Sequence, residues 1–267
     1  MQKWENQSYG AVHAEIYDDW YGENGRLPLT EAGNPNEVAN EILHLVNNAG
    51  GGPVLELGVG TGRLAIPMVE RGLDVTGLDN SVEMLKKLQS KPSSTHMTLI
   101  RGDMANPSFK TGLENNSFAL ALIGFNTLFC LTTAEAQNSC IAGIARLLAP
   151  DGFLVIEAFV PNPNSHKGLS VRSVEADAVI LDIAQFDQET QEIVGQRVEV
   201  TNAGNRLFPY HLRYATPEQM DAMATCAGLT LYKRSSNWSG ATFDQDSTSH
   251  VSVWSDPTSS ISPKQRT

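Results

Sequence analysis

The segment 54–63, VLELGVGTGR, constrains what this chain can fold into more than any other stretch. An apolar run at 54–57 leads into glycines at alternate positions, Gly58, Gly60 and Gly62, and residues 63–71 then carry a helical pattern. Glycine admits backbone angles closed to other residues and lets a ligand approach the main chain. A buried strand that turns through such a loop into a helix is the usual entrance to a parallel sheet covered by helices.

The flanking sequence continues that order. Residues 36–49 read as an amphipathic helix, with Val38, Ile42, Leu45 and Val46 at helical spacing. Strands are predicted at 73–78, 97–100, 118–125 and 153–159. Ser81 is placed as the N-cap of a helix that turns Met84, Leu85 and Leu88 inward. A helix over 134–148 ends in a turn at Pro150-Asp151-Gly152. The pattern then changes. Residues 171–186, 192–201 and 207–214 are β-prone with no helix between them, so an antiparallel insertion is expected. Thr216 caps a helix over 217–226, with Pro217 at its first position. Final strands follow at 229–234 and 250–254, and the polar tail 255–267 is expected to be disordered. A helix is predicted over 11–21 in the aromatic N-terminal segment.

The glycine loop could serve a nicotinamide cofactor, whose fingerprint is GxGxxG. Here the spacing is GxGxG, and Arg63 occupies the position that fingerprint reserves for Gly or Ala. Glu56 lies just ahead of the loop, and Asp79 closes the next strand. An acid at that place suits the two hydroxyls of an adenosine ribose. With these residues in view, the stretch 36–160 resembles the class I S-adenosylmethionine-dependent methyltransferases. The resemblance implies a Rossmann-like α/β sheet of seven strands, with the antiparallel lid inserted after strand five. It implies S-adenosyl-L-methionine as cofactor, with Glu56, Gly58, Gly60 and Gly62 in the loop against its methionine part. Asp79, with Asn80 beside it, would hold the ribose. Asp103 would reach the adenine amino group, and Met104 would pack on the ring, with Met84 a further lining residue. Phe125 and Asn126 match the family's cofactor-lining segment after strand four.

An antiparallel insertion after strand five is similar to that of small-molecule members, glycine N-methyltransferase and the sugar N,N-dimethyltransferases among them. Ala14-Glu15-Ile16-Tyr17-Asp18 resembles the sugar enzymes too, which implies that Tyr17 lies over the cofactor. Those enzymes carry a histidine in the loop after strand four, where this chain has Cys130. On the acceptor side, Tyr17 and His211 are the catalytic candidates. Cys130, Glu157, His166, Tyr210, His211 and Arg213 are the candidate substrate contacts, although Glu157 could instead pair internally with Arg213. The expected activity is methyl transfer to a nitrogen or oxygen of a small molecule in specialised metabolism. A non-catalytic S-adenosylmethionine-binding protein and, further off, a nicotinamide oxidoreductase are the alternatives.

Composition bears on partners. The formal net charge of −11 repels a polyphosphate backbone, and the 19 Lys and Arg are scattered, so no nucleic-acid partner is expected. No run approaches the length of a membrane span, and Met1-Gln2-Lys3-Trp4-Glu5-Asn6 has no apolar leader core, so a cytoplasmic protein is expected. No residue set has metal-ligand spacing, and no metal is expected. Cys140 and Cys226 are read as small buried apolar residues. A monomer or homodimer is expected. The expected divisions are an N-terminal helical lid segment (1–35), the cofactor core (36–160), the β insertion (161–215), a C-terminal helix with the last core strands (216–254) and the tail (255–267).

Overall fold

A computed structural model describes residues 9–22, 25–27, 33–108 and 111–258. Most of the expected disordered tail therefore lies outside the described residues. Strands β1 (Val54–Leu57), β2 (Val75–Asp79), β3 (Met97–Arg101), β4 (Phe118–Ile123) and β5 (Leu148–Phe159) pair in parallel. After the four strands of the lid, β6 (Gly168–Val174), β7 (Ala178–Asp187), β8 (Glu192–Thr201) and β9 (Gly204–Arg213), come β10 (Thr230–Ser235) and β11 (Ser249–Ser255), and β11 runs antiparallel to both β5 and β10. The seven-strand order is β10-β11-β5-β4-β1-β2-β3. The chain reverses its direction of travel between β1 and β4, so a crevice opens beyond their carboxyl ends.

Alternation along the strands builds two apolar layers. In β4, Ala121 and Ile123 face one layer while Leu120 and Leu122 face the other. The first layer is closed by Ile141, Ile144 and Leu147 of α6 (Ala134–Leu147) and by Met220 and Met223 of α7 (Pro217–Cys226). The second is closed by α3 (Pro35–Asn48), α4 (Ala65–Glu70) and α5 (Val82–Gln89), which supply Ile42, Met68 and Leu88. Caps fix where these helices start. Ser81 accepts from the Met84 amide, and Thr216 and Gln219 form a reciprocal capping box ahead of Pro217.

The lid is a separate antiparallel sheet, β6 (Gly168–Val174), β7 (Ala178–Asp187), β8 (Glu192–Thr201) and β9 (Gly204–Arg213), in that order. Residues 171–186 are thus two strands, not one. The chain turns at 175–177, where the Glu175 amide donates to the Ala178 carbonyl. The turn expected at Pro150-Asp151-Gly152 is absorbed into β5. Phe118 pairs with Leu148 and Leu120 with Phe153, so the segment bulges where Pro150 offers no amide to the ladder. Cys140 is buried as expected, but Cys226 is exposed. It follows Ala224 by two residues in α7 and so leaves the inward face set by Met220, Met223 and Ala224.

The helix expected over 11–21 is two, α1 (Tyr9–His13) and α2 (Tyr17–Tyr21), with a turn at 14–16. That break lets Ile16, Trp20 and Tyr21 share one apolar cluster with Ile180 and Phe208 of the lid. The Trp20 ring meets the Phe208 ring edge-on at 4.8 Å. Arg26 adds charge-assisted bonds to Glu175 (2.7 Å) and Glu199 (2.6 Å). Among the described residues no helix is long and apolar enough to cross a membrane. Trp20→Ala should cost about 3–5 kcal/mol of this docking. Hydrogen exchange should then speed up at 9–22 and around Phe208, while β1 and β4 keep their protection. Equal loss in the central strands would show that the segment belongs to the main core.

Candidate functional site

The loop after β1 is tied to the end of β2. The Gly58 and Val59 amides donate to the Leu78 carbonyl at 2.7 and 3.1 Å, and the Gly60 amide donates to Asp79 Oδ2 at 2.9 Å. Gly58 has φ +70°, and a Cβ there would strike the Thr127 methyl, so the position admits only glycine without rearrangement. Asp79 Oδ1 accepts from the Ser81 amide at 2.8 Å, which joins the loop to the cap of α5. Burial pushes the Asp79 carboxyl up, and the backbone amides of Ser81, Gly60 and Asn80 pull it back.

A cleft of about 1930 Å³ runs from this loop to the lid. Gly58, Gly60, Asp79, Asn80, Met84, Asp103 and Met104 line its core side. Asp103 is exposed, with one oxygen on the Ala105 amide at 2.9 Å. Phe125 and Asn126, both at positive φ, line it where β4 ends, so the strand stops two residues short of the expected 118–125. Asn126 Oδ1 takes the Phe159 amide at 2.7 Å and ties that turn to β5. Tyr17 lines the cleft from α2, and burial raises its phenol while Arg63 lowers it.

Gly62 and Glu56 are not in the lining. Gly62 faces Leu88 and Ile66 and serves the packing of α4 on α5. Glu56 lies buried in β1, with Oε2 unpartnered among the described residues. Burial pushes its carboxyl up to about 8, against the lowering effect of Arg63. Arg63, which stands where a dinucleotide fingerprint has Gly or Ala, donates Nη1 to the Gly33 carbonyl at 3.0 Å and stacks over Phe125 at 5.0 Å. Its Nη2 is buried without a partner. Its place at the close of the glycine motif was the available signal.

On the acceptor side the structure brings together Cys130, His166, Tyr210 and His211, all lining the cleft. Burial holds the Cys130 thiol up at about 12, so it stays neutral. His166 stacks on Phe159 at 4.3 Å and bonds the Asn162 carbonyl through Nδ1 at 2.9 Å. His211 Nε2 lies 3.3 Å from Glu192 Oε1. Two candidates are used otherwise. Glu157 lines the cleft, but both its oxygens are engaged. Oε1 accepts from the Gly33 amide (3.0 Å) and Trp238 Nε1 (2.8 Å), and Oε2 accepts from the Phe125 amide (2.7 Å). The alternative of a Glu157–Arg213 pair does not form. Arg213 donates to Gln137 and Gln191 and is absent from the cleft lining. Both residues sit on strands whose partners come from distant segments, which local sequence does not reveal. Tyr21, Asp182 and Arg197 also line the cleft, and no local motif marks them.

Residues 54–152 match a family model described as a methyltransferase domain. The chain is similar to the CcbJ methyltransferase from Streptomyces caelestis, at 33% identity and a TM-score of 0.82, covering 94% of this chain and 98% of that one. It is 26% identical over 185 residues to the cypemycin N-terminal methyltransferase of a Streptomyces species, covering 67% of this chain and 73% of the relative. CalS10, an amino pentose methyltransferase from Micromonospora echinaspora, shares the fold at 20% identity and a TM-score of 0.63, covering 95% and 99% of the two chains.

Glu157→Ala would strand three donors where little water reaches. It is expected to lower stability by about 3 kcal/mol in urea unfolding. A change below about 1 kcal/mol would show that water replaces the carboxylate there.

Proposed function

The chain belongs to the class I S-adenosylmethionine-dependent methyltransferases, and from that premise we propose that it methylates a small molecule at nitrogen or oxygen, an amine foremost, in specialised metabolism. The observation that carries this reading is the cleft of about 1930 Å³ between glycine loop and lid. One ligand of moderate size needs roughly 300–1,000 Å³, so the space suits a cofactor and an acceptor together. Two relatives point to nitrogen, the cypemycin N-terminal methyltransferase and an amino pentose methyltransferase. The alternative of a protein that only holds the cofactor predicts binding without turnover across an acceptor panel.

The residues fit the cofactor. Glu56 Oε2 and Arg63 Nη2 are buried and unpartnered among the described residues, an acceptor and a donor of the kinds that a zwitterionic amino-acid end requires. In this reading Glu56 takes the ammonium and Arg63 the carboxylate. Asp79 holds the ribose, while Asp103, Met104 and Met84 take the adenine. Asn80, Phe125 and Asn126 complete the wall, and Gly58 and Gly60 let the ligand reach the main chain. S-adenosylmethionine supplies a methyl group on a positively charged sulfur with a good leaving group. The chain's own part is then alignment and the exclusion of water, for which Tyr17 and the lid serve. His211, steadied by Glu192, takes the acceptor's proton, and Cys130, His166 and Tyr210 shape the acceptor space.

Calorimetry with S-adenosylhomocysteine tests the cofactor side. Asp79→Ala is expected to weaken binding about 100-fold, because it removes the ribose acceptors and unties Gly60. Unchanged affinity would reject the assignment. Glu56 adds a pH signature. Its folded carboxyl sits up at about 8 against an ordinary value of 4.5, so its contribution to the unliganded fold is whole below about pH 4.5 and is lost as pH rises through about 8. An ammonium partner needs the carboxylate, so affinity should rise several-fold from about pH 6 to about pH 8. Glu56→Gln should flatten that rise. His211→Asn should lower kcat at least about tenfold, with affinity for S-adenosylhomocysteine unchanged. An unaltered kcat would remove His211 from proton transfer.

A further inference from the structure

We propose that Arg197 and Tyr21 form a subsite on the lid side of the cleft for a carboxylate carried by the methyl acceptor. This rests on the methyltransferase reading above and adds to it the class of acceptor.

Arg197 in β8 pairs directly with Asp182 in β7 and with Phe208 in β9, so all three point from the lid face that packs on the N-terminal aromatic segment. The guanidinium lies over the Tyr21 ring at 5.5 Å and near the Tyr210 ring at 5.9 Å. The Tyr210 ring crosses Gly195, where any Cβ would strike it. From there its hydroxyl donates to Asp182 Oδ1 at 2.7 Å. Asp182 Oδ2 stands 3.6 Å from Arg197 Nε, too long for a charge-assisted hydrogen bond.

Arg197 Nε and Nη1 are therefore buried with no hydrogen-bond partner, and Tyr21, only 4% exposed, has its hydroxyl buried in the same condition. A purely structural arginine would have its donors engaged, since buried polar groups are hydrogen-bonded. Side chains offering unmade donors call for a ligand group that accepts. Charge narrows it further. Arg172 also lines the cleft and lies within electrostatic reach of Tyr210, so this end of the cleft carries guanidinium charge in a chain of net charge −11. The planar fork of arginine matches a carboxylate in shape as well as sign. Sixteen per cent of the Arg197 side chain remains accessible, and the residue lines the cleft. Arg63, under the glycine loop, is a different group with a different task.

The test uses the full chain saturated with S-adenosylhomocysteine. Calorimetric titration compares amino acids with their carboxamides: L-proline, L-phenylalanine and 4-aminobenzoate against the matching amides. Each acid should bind at least about tenfold more tightly than its amide. Arg197→Gln should abolish that preference and Arg197→Lys should recover part of it, with S-adenosylhomocysteine affinity unchanged in both. Tyr21→Phe, which keeps the ring, should narrow the preference and serves if Arg197→Gln does not fold. Equal binding of acids and amides, binding of neither, or a preference that survives Arg197→Gln overturns the proposal. Failure of the wild type to bind S-adenosylhomocysteine would instead overturn the cofactor assignment, and the two failures are read in separate titrations.

Discussion

The structure depends on the knot between the loop after β1 and the end of β2. Three amides of that loop, from Gly58, Val59 and Gly60, donate to the Leu78 carbonyl and the Asp79 carboxylate. Each bond contributes only about 1 kcal/mol net, but leaving the donors unmade in this enclosed place would cost more. The knot holds the main chain open toward the cleft and fixes where α4 begins. Through Ser81 it also sets the start of α5. Everything that lines the core side of the cleft is placed relative to this turn.

A second centre of order is Glu157. One carboxylate gathers the Gly33 amide, the Phe125 amide and the Trp238 indole from three separate parts of the chain. It thereby joins the approach to α3, the turn after β4 and the segment after β10 at the mouth of the cleft. In contrast, the buried polar atoms of Glu56, Arg63, Tyr21 and Arg197 are left unmade. Such atoms oppose folding, and those of Tyr21 and Arg197 belong to side chains that line the cleft. The lid and the N-terminal segment act as one unit over that cleft, because Trp20, Phe208 and Ile180 share a cluster and Arg26 bridges to Glu175 and Glu199.

Much of the core was legible in sequence. The period-two and helical patterns predicted β1 to β3, α3, α5 to α7 and the lid strand β8 to within a few residues, because those elements bury a regular apolar face. The misses have physical causes. The turn at 175–177 carries no glycine or proline, so β6 and β7 read as one strand. Pro150-Asp151-Gly152 has the residues of a turn, yet the neighbouring β4 draws it into a bulged strand. The break between α1 and α2 carries no glycine or proline, and its use, seating Ile16, Trp20 and Tyr21 against the lid, is visible only in the packing.

The sequence by itself determined the sheet, its glycine turn and the class of chemistry. These follow from local rules: glycine at positive φ, alternation along strands, and an acid at the end of β2. Only the tertiary structure decided the fate of the isolated polar side chains. It gave Glu157 to the fold, took Arg213 away from the cleft, and set Arg63 beneath the loop and Arg197 against Tyr21. A carboxylate or guanidinium is defined by partners tens of residues away, and side-chain type alone does not say whether those partners are protein or ligand.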